Sequence, residues 1–239
     1  MKTTFETTRQ TVASRKLQQQ RTVVQVSDLH DACFGADQSL LIHAIGAEQP
    51  DWIVCTGDLF NRRKPDACQN AYRFIERAVR IAPVYVVEGN HEAALGPAGT
   101  QHLLATVQRG AVLLQDARMP LGDVNLIGLR QRASRETLQS LTDPNRFNLV
   151  LCHRPELFPT YAETDADLIL CGHAHGGQIR VAGRALYAPQ QGWLPRYTGG
   201  MYERQGTQMF VSRGLGDTIP IPRIHVPHEL NVLTLLPIE

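Results

Sequence analysis

The chain has 239 residues, of which 43% are hydrophobic and 20% are charged, so it can bury the core of one large α/β domain. Its formal net charge of +1 provides no general attraction for nucleic acid, for a strongly anionic membrane or for a polyacidic partner. Any recognition of phosphate must therefore be local. No segment approaches the roughly 18 apolar residues of a membrane span, and residues 1–22 lack the apolar core of a signal peptide. We expect a cytoplasmic protein.

Nothing in the sequence divides the chain, because it contains neither an internal repeat nor a low-complexity linker. We therefore predict a single domain over residues 1–239. Basic residues outnumber acidic ones in residues 1–22, where large apolar side chains are few. This segment is predicted to be an edge strand or a partly mobile arm. Contact with lipid headgroups is the alternative, but no amphipathic apolar face supports it. The sequence leaves the oligomeric state open.

Apolar runs and helical stripes alternate in the first part of the chain. Strands are predicted at residues 22–26, 52–55 and 84–87, with a helix over residues 37–49 and another that begins at Pro65. This order of strand, helix, strand, helix and strand is typical of right-handed crossovers and predicts a parallel sheet.

The second part of the chain contains shorter elements. Apolar runs at residues 111–114 and 124–129 are predicted to be adjoining strands, and the turn residues of 116–123 predict a hairpin between them. Glycine and proline predict a long loop or a small hairpin at residues 176–200. The remaining predictions are a helix near 99–109, a short helix at 135–141, a helical turn at 155–162, and strands at 147–151, 168–171, 208–211 and 231–236.

Five of the predicted apolar strands are followed by residues that can bind a metal. One pair of histidines alone, such as the His-x-His at residues 173–175, is as readily explained by chance in a surface loop. Metal-competent residues after five strands are stronger evidence for a site than one pair. Ligands of open α/β sheets bind outside the carboxyl ends of the strands, where residues distant in sequence converge. The residues are Asp28 and His30, Asp58, Asn90 and His91, His153, and His173 and His175.

These side chains are too many for one ion. Two divalent ions roughly 3.5–4 Å apart would use them all if one carboxylate bridged. The five cysteines lack CxxC spacing, and we interpret them as small buried hydrophobic residues, so no thiolate joins the set. Oxygen and imidazole donors without sulfur favour manganese as the cofactor metal, with iron, zinc, nickel and cobalt as alternatives.

The spaced motifs resemble the calcineurin-like metallophosphoesterases, whose series is Asp-x-His, Gly-Asp, Gly-Asn-His-Asp/Glu, His and Gly-His-x-His. The tail Gly-His-Ala-His-Gly-Gly-Gln at residues 172–178 is similar to the bacterial branch that includes cell-wall-associated phosphodiesterases. The resemblance implies a four-layer α/β/β/α sandwich with two mixed sheets packed face to face and helices outside. It also implies that Asp28, His30 and His175 bind one metal, that Asn90, His153 and His173 bind the other, that Asp58 bridges them, and that His91 binds neither and faces the leaving group.

We therefore expect hydrolysis of a phosphate ester by a dimetal site, with a metal-bridging hydroxide as nucleophile and His91 as general acid. A phosphodiesterase acting on a small-molecule or lipid substrate is preferred. A phosphomonoesterase, a nuclease and a non-catalytic scaffold are the alternatives, and the near-neutral charge disfavours the nuclease. His91 could instead brace a metal ligand. For each of Arg154, Arg180 and Arg213, a phosphate clamp and an ordinary ion pair are equally consistent with the sequence.

Overall fold

The protein is described here from a computed structural model that covers residues 4–188, 191–217 and 223–238. Its helices are α1 (Ser39–Ala47), α2 (Gln69–Ala78), α3 (Asn90–Ala94), α4 (Pro97–Val107), α5 (Arg135–Leu141) and α6 (Phe158–Tyr161). Its strands are β1 (Glu6–Ser14), β2 (Arg21–Val26), β3 (Trp52–Cys55), β4 (Val84–Val86), β5 (Val112–Leu113), β6 (Ala117–Leu121), β7 (Val124–Gly128), β8 (Phe147–Leu151), β9 (Leu168–Cys171), β10 (Arg180–Val181), β11 (Arg184–Ala185), β12 (Tyr187–Ala188), β13 (Gly192–Trp193), β14 (Gly200–Arg204), β15 (Thr207–Val211) and β16 (Glu229–Pro237).

Two six-stranded sheets form the centre of the fold. The first has the order β1-β16-β2-β3-β4-β5, and the second has the order β14-β15-β9-β8-β7-β6. Both sheets are mixed, because β2 to β5 run parallel while β16 is antiparallel to β2, and because β7, β8, β9 and β15 run parallel between antiparallel edge strands. The predicted sandwich with two mixed sheets is thus confirmed.

Alternation along the strands divides the apolar side chains into three cores. Val54 and Tyr85 of the first sheet pack between the sheets with Leu149, Leu170 and Phe210 of the second. Residues one position away point outward to the helices. The outer face of the first sheet packs on α1, α2 and α4, and that of the second packs on α5 and α6. Helix, sheet, sheet and helix are therefore the four layers.

The hairpin predicted between residues 111–114 and 124–129 is wrong. The first run, β5, pairs with β4 in the first sheet, whereas β7 belongs to the second. The segment predicted to be a turn contains β6, which pairs with β7 around Gly122. Its Met119 and Leu121 pack against the core between the sheets, while Arg118 and Pro120 alternate with them on the exposed side. The turn-type residues of this segment therefore led to a wrong prediction, because the segment forms a strand whose inner face is apolar.

Smaller differences concern element ends. Helix α2 begins at Gln69 rather than at Pro65, because Cys68 has a non-helical φ of −133°. Helix α3 and strand β14 were not predicted, and residues 176–200 contain two small hairpins, β10–β11 and β12–β13. The N-terminal segment contributes β1, the edge strand of the first sheet, parallel to β16. No helix in the described part of the chain is long and apolar enough to cross a bilayer.

Candidate metal centre

The predicted site residues lie in the segments that follow β2, β3, β4, β8 and β9, where the carboxyl ends of the parallel strands open toward one another. Several of these residues leave the sheet with a left-handed backbone: φ is 51° at Asp28, 54° at Asp58 and 69° at His173. Such a conformation costs free energy for residues other than glycine and is concentrated at functional sites. All seven predicted metal ligands, and His91, lie in this one region.

One cluster joins Asp28, His30 and His175, whose ligand atoms all lie within 4.8 Å of one another. His175 Nε2 is 3.5 Å from Asp28 Oδ1 and 3.4 Å from His30 Nε2. His30 Nδ1 donates to the carbonyl oxygen of Phe60 at 3.2 Å, which leaves the lone pair of Nε2 directed at the cluster. These three residues can therefore bind one ion.

A second cluster joins Asp58, His153 and His173, again within 4.8 Å. His153 Nε2 lies 3.2 Å from Asp58 Oδ2 and 3.2 Å from His173 Nδ1. Asn90 belongs to the same group, since its Oδ1 is 3.0 Å from His153 Nε2. Asp58 Oδ2 is also 3.9 Å from His30 Nε2 in the first cluster, so this carboxylate lies between the two.

The contacts of His153 indicate a position that attracts positive charge, either a proton or a metal ion. Its Nδ1 donates to the carbonyl oxygen of Thr56 at 2.8 Å, so in the neutral ring Nε2 carries a lone pair. Two oxygen acceptors nevertheless converge on this lone pair, from Asp58 and Asn90. Buried His173 Nε2 has no hydrogen-bond partner among the described residues. Acceptors converging without a donor fit a site for positive charge, and the set matches the oxygen and imidazole ligands of divalent metals.

Burial controls the charge of most of the imidazoles. It lowers the pKa of His30, His173 and His175, which favours the neutral form that binds metal. His153 differs: burial opposes its charge, but the adjacent Asp58 carboxylate raises its pKa to about 10. A proton therefore accompanies the Asp58 and His153 pair in the metal-free protein, and a metal ion binding there must displace it.

His91 is the second residue of α3 and lies beside both clusters. Its backbone N–H donates to Asp58 Oδ1 at 2.7 Å, and its Nδ1 accepts the backbone N–H of Arg62 at 3.1 Å. Because Nδ1 accepts, Nε2 carries the proton of the neutral ring, and burial lowers the pKa of His91. A ring nitrogen of His91 also lies within 4.8 Å of the ligand atoms of His30 and Asp58. Its position accordingly suits proton donation and also permits contact with an ion.

Glu92, which ends the motif Gly89-Asn90-His91-Glu92, supports the site through contacts that the motif did not predict. Its buried carboxylate accepts three backbone N–H groups, from Asp58 at 3.0 Å, Phe60 at 2.9 Å and Gly89 at 2.7 Å. Burial and then the repulsion of Asp58 raise its pKa to about 8. A Cβ on Gly89 would lie 2.1 Å from the backbone nitrogen of Asp58, so only glycine allows these two loops to meet. Glu92 thus fixes the loop that presents Asp58.

Asp28 is fixed in a similar way by neighbours from both sheets. Ser27 Oγ donates to Asp28 Oδ2 at 2.6 Å, and the backbone N–H of His173 donates to the same oxygen at 3.0 Å. Buried Gln25 of β2 reaches across the sandwich and donates to the carbonyl oxygen of Cys171 at 2.9 Å. A Cβ on Gly172 would lie 1.9 Å from Ser27 Oγ. The ends of β2 and β9 are therefore locked together at the site.

The arginines considered as phosphate clamps have other partners. Arg154 pairs with Glu156 at 3.1 Å, and Arg213 pairs with Glu229 at 2.8 Å, both as ordinary ion pairs. Arg180 Nε donates to a backbone carbonyl, and its Nη2 donates to a threonine hydroxyl. An arginine not singled out in the sequence, Arg223, contacts a ligand directly, with Nη2 3.2 Å from His175 Nδ1. No local motif marks this residue.

Comparisons with known proteins find a matching family, several relatives and structures of similar fold. A family model described as calcineurin-like phosphoesterase matches residues 21–177. The metallophosphoesterase YkuE of Bacillus subtilis is 30% identical over 229 residues, covering 89% of this chain and 78% of that protein. The phosphodiesterase YaeI of Escherichia coli is 30% identical over 233 residues, covering 90% and 82%. A solved dimetal phosphatase from Danio rerio has a TM-score of 0.50 at 13% identity, covering 81% of this chain and 87% of that one, which is a similarity of fold.

Proposed function

The chain belongs to the calcineurin-like phosphoesterase family, and from that premise we propose that it is a phosphodiesterase that uses two divalent metal ions. One observation carries the two-ion proposal. Asp58 Oδ2 lies 3.2 Å from His153 Nε2 and 3.9 Å from His30 Nε2, so a single carboxylate faces both ligand clusters. A shared carboxylate between two sets of imidazoles is what a pair of adjacent cations requires.

The donor set supports an assignment of each ligand. We propose that Asp28, His30 and His175 bind one ion and that Asn90, His153 and His173 bind the other, with Asp58 shared. When bound, the two ions supply a water-derived nucleophile at neutral pH and neutralise the charge on the phosphoryl oxygens. The mixture of carboxylate, carboxamide and imidazole favours manganese, with iron, zinc, nickel and cobalt as alternatives.

We propose that His91 donates a proton to the departing oxygen. The backbone N–H of Arg62 occupies its Nδ1, so the proton of the neutral ring is on Nε2 and can be donated. Its backbone bond to Asp58 Oδ1, at 2.7 Å, holds the ring beside the shared carboxylate. Glu92 and Ser27 act by positioning Asp58 and Asp28.

The preference for a diester rests on the relative named phosphodiesterase, YaeI, which aligns with 90% of this chain. A small-molecule or lipid phosphodiester is the proposed substrate class. The test is hydrolysis of bis-p-nitrophenyl phosphate and p-nitrophenyl phosphate by protein reconstituted with manganese. The expected result is a higher kcat/KM for the diester, and the reverse order would make the enzyme a monoesterase.

The same assay can be extended to cyclic nucleotides, lipid and sugar-nucleotide diphosphates and single-stranded DNA. Asp66→Ala is a suitable control variant because Asp66 is an exposed loop residue outside the ligand clusters and should retain wild-type turnover. Folded, metal-loaded protein that cleaves none of these substrates would be a non-catalytic scaffold, and the hydrolase proposal would be abandoned.

A further inference from the structure

A small platform follows the last metal-site motif directly. We define it as residues 178–188, 191–196 and Ile224, and it contains the hairpins β10–β11 and β12–β13. Backbone hydrogen bonds join its parts: Leu186 donates to the carbonyl oxygen of Ile179 at 2.9 Å, Leu194 donates to that of Leu186 at 2.9 Å, and Arg180 donates to that of Ile224 at 3.0 Å. The platform is therefore held together by backbone hydrogen bonds, and it directly follows His175–Gly177 in sequence.

Large apolar side chains on this platform face solvent. Trp193 is 78% exposed, Leu194 is 73% exposed and Val181 is 57% exposed, and Tyr187 and Ile224 are exposed as well. Beside them lies a groove of about 340 Å³ that is lined by Gln178, Ile179, Leu186, Tyr187 and Trp193. A tryptophan this exposed costs free energy in water, and a contiguous apolar patch of this kind marks a surface that binds something.

Positive charge adjoins the apolar patch. Arg180, Arg184 and Arg196 line a neighbouring cavity of about 480 Å³, and Leu194 lines it too, so the apolar and cationic surfaces meet. Residues 176–202 contain these three arginines and no acidic residue, although the whole chain carries a net charge of only +1. Within the described ranges, no carboxylate forms an ion pair with Arg184 or Arg196.

We propose that this platform docks the protein on an anionic lipid bilayer, with Trp193 and Leu194 entering the interface and Arg184 and Arg196 pairing with lipid phosphates. Aromatic and aliphatic side chains beside arginines are the composition of surfaces that lie in the interface of a membrane. A second copy of this chain fits poorly, because a twofold contact through the platform would bring arginines of both copies together. Docking would bring His175, which lies three residues before the platform in sequence, toward the headgroups.

The test is partitioning of the purified full chain onto vesicles of phosphatidylcholine with and without phosphatidylglycerol. We expect binding that requires the anionic lipid and weakens as salt increases. Trp193→Ser combined with Leu194→Ser should reduce the partition coefficient by at least about tenfold, because two exposed apolar anchors are lost. Arg184→Gln with Arg196→Gln should reduce it by at least about tenfold, since each arginine near an anionic surface contributes about fivefold.

Matched controls come from other faces of the molecule. Leu104 on α4 is 51% exposed and Arg118 on β6 is exposed, so Leu104→Ser and Arg118→Gln should leave partitioning unchanged. Circular dichroism and thermal unfolding establish that each variant is folded. The two tryptophans differ in exposure, with Trp52 at 8% and Trp193 at 78%, so a vesicle-induced blue shift of emission reports Trp193. Trp193→Phe should retain vesicle binding and lose the shift.

Three outcomes would overturn the proposal. The first is no partitioning of wild-type protein onto anionic vesicles at low salt. The second is partitioning that the platform variants leave at the wild-type level. The third is a blue shift that occurs without vesicles and grows with protein concentration, together with a dimer mass by light scattering, because the platform would then be a contact between copies. None of these readouts depends on hydrolysis.

Discussion

His153 Nε2 lies 3.2 Å from Asp58 Oδ2, although the two residues follow strands of different sheets, β8 and β3. The other ring nitrogen of His153 donates to the carbonyl oxygen of Thr56, two residues before Asp58, at 2.8 Å. The pair therefore joins the two halves of the sandwich at the metal centre. Its geometry depends on both sheets being packed, and the carboxylate is the only negative charge within this second cluster.

Replacing Asp58 with alanine should lower metal content and activity together. Without the shared carboxylate, less negative charge would lie between the two cations to offset their mutual repulsion. At least one of them should therefore bind weakly. We expect activity to fall by at least about 100-fold, because loss of even indirect ligand support costs about 10–100-fold. Elemental analysis and diester turnover measure the two effects, with Asp66→Ala as the control. Retention of two tightly bound ions per chain would show that Asp58 does not bridge.

Removing the metals should abolish activity reversibly and destabilise the fold. A ligand that binds only the native state stabilises the protein by about 2.7 kcal/mol when its free concentration is 100 times the dissociation constant. For a domain of this size, that corresponds to a rise in Tm of about 5–10 °C. Chelator-treated protein should therefore melt earlier than protein with added manganese, and turnover should return with manganese. Full turnover of protein shown by elemental analysis to be metal-free would contradict the two-ion mechanism.

His91→Ala should slow the hydrolysis of esters with poor leaving groups more than that of esters with good leaving groups. Protonation matters when the departing alkoxide is strongly basic, where a general acid contributes about 10²–10⁴-fold, and matters little for a nitrophenolate. We expect kcat/KM to fall much further for an alkyl diester than for a nitrophenyl diester, with metal content unchanged. His43→Ala, at an exposed histidine of α1, is the control. An equal loss on both substrates, or loss of metal, would assign His91 a bracing or ligand role instead.

Glu229→Gln should reduce stability in a pH-dependent way. Burial works against the charge of Glu229, but hydrogen bonds from Arg213 and Thr8 hold its pKa below the ordinary 4.5. A carboxylate with a lowered native pKa contributes stability that is present above the unfolded pKa of 4.5 and is lost as the pH falls through the native pKa. At pH 7 the variant should lose about 1.5–3 kcal/mol, because the charge-assisted hydrogen bonds to the buried carboxylate are lost while Arg213 keeps its contact with exposed Glu6.

The difference between wild type and Glu229→Gln should shrink as the pH falls below 4.5 and through the lowered native pKa of Glu229. Denaturant unfolding across this range, in chelator so that metal loss does not contribute, measures the effect. The control is Glu203→Gln, since Glu203 is exposed on β14. A difference that stays constant from pH 7 to the most acidic pH at which the protein is folded, well below 4.5, would mean that the ionised carboxylate contributes nothing to stability.

Local sequence determined a large part of the fold. The run Trp52–Cys55 and the segments Arg135–Leu141 and Phe147–Leu151 have the predicted type and ends, because continuous apolar runs and helical spacing leave one way to bury each segment. The motifs also named the residues that the structure brings together. Strand polarity explains this success, since parallel strands direct their carboxyl ends to one edge, and the polar residues after them must meet there.

Tertiary structure decided what depends on partners far along the chain. Residues 111–114 and 117–121 carry no local sign of which sheet they join, so the predicted hairpin failed when β5 paired with β4 and β6 with β7. The role of Glu92 depends on three N–H groups of two loops. The apolar and cationic surfaces of the platform likewise meet only after the chain folds. Periodicity reports how one segment buries itself, whereas these features arise from the packing of one segment on another.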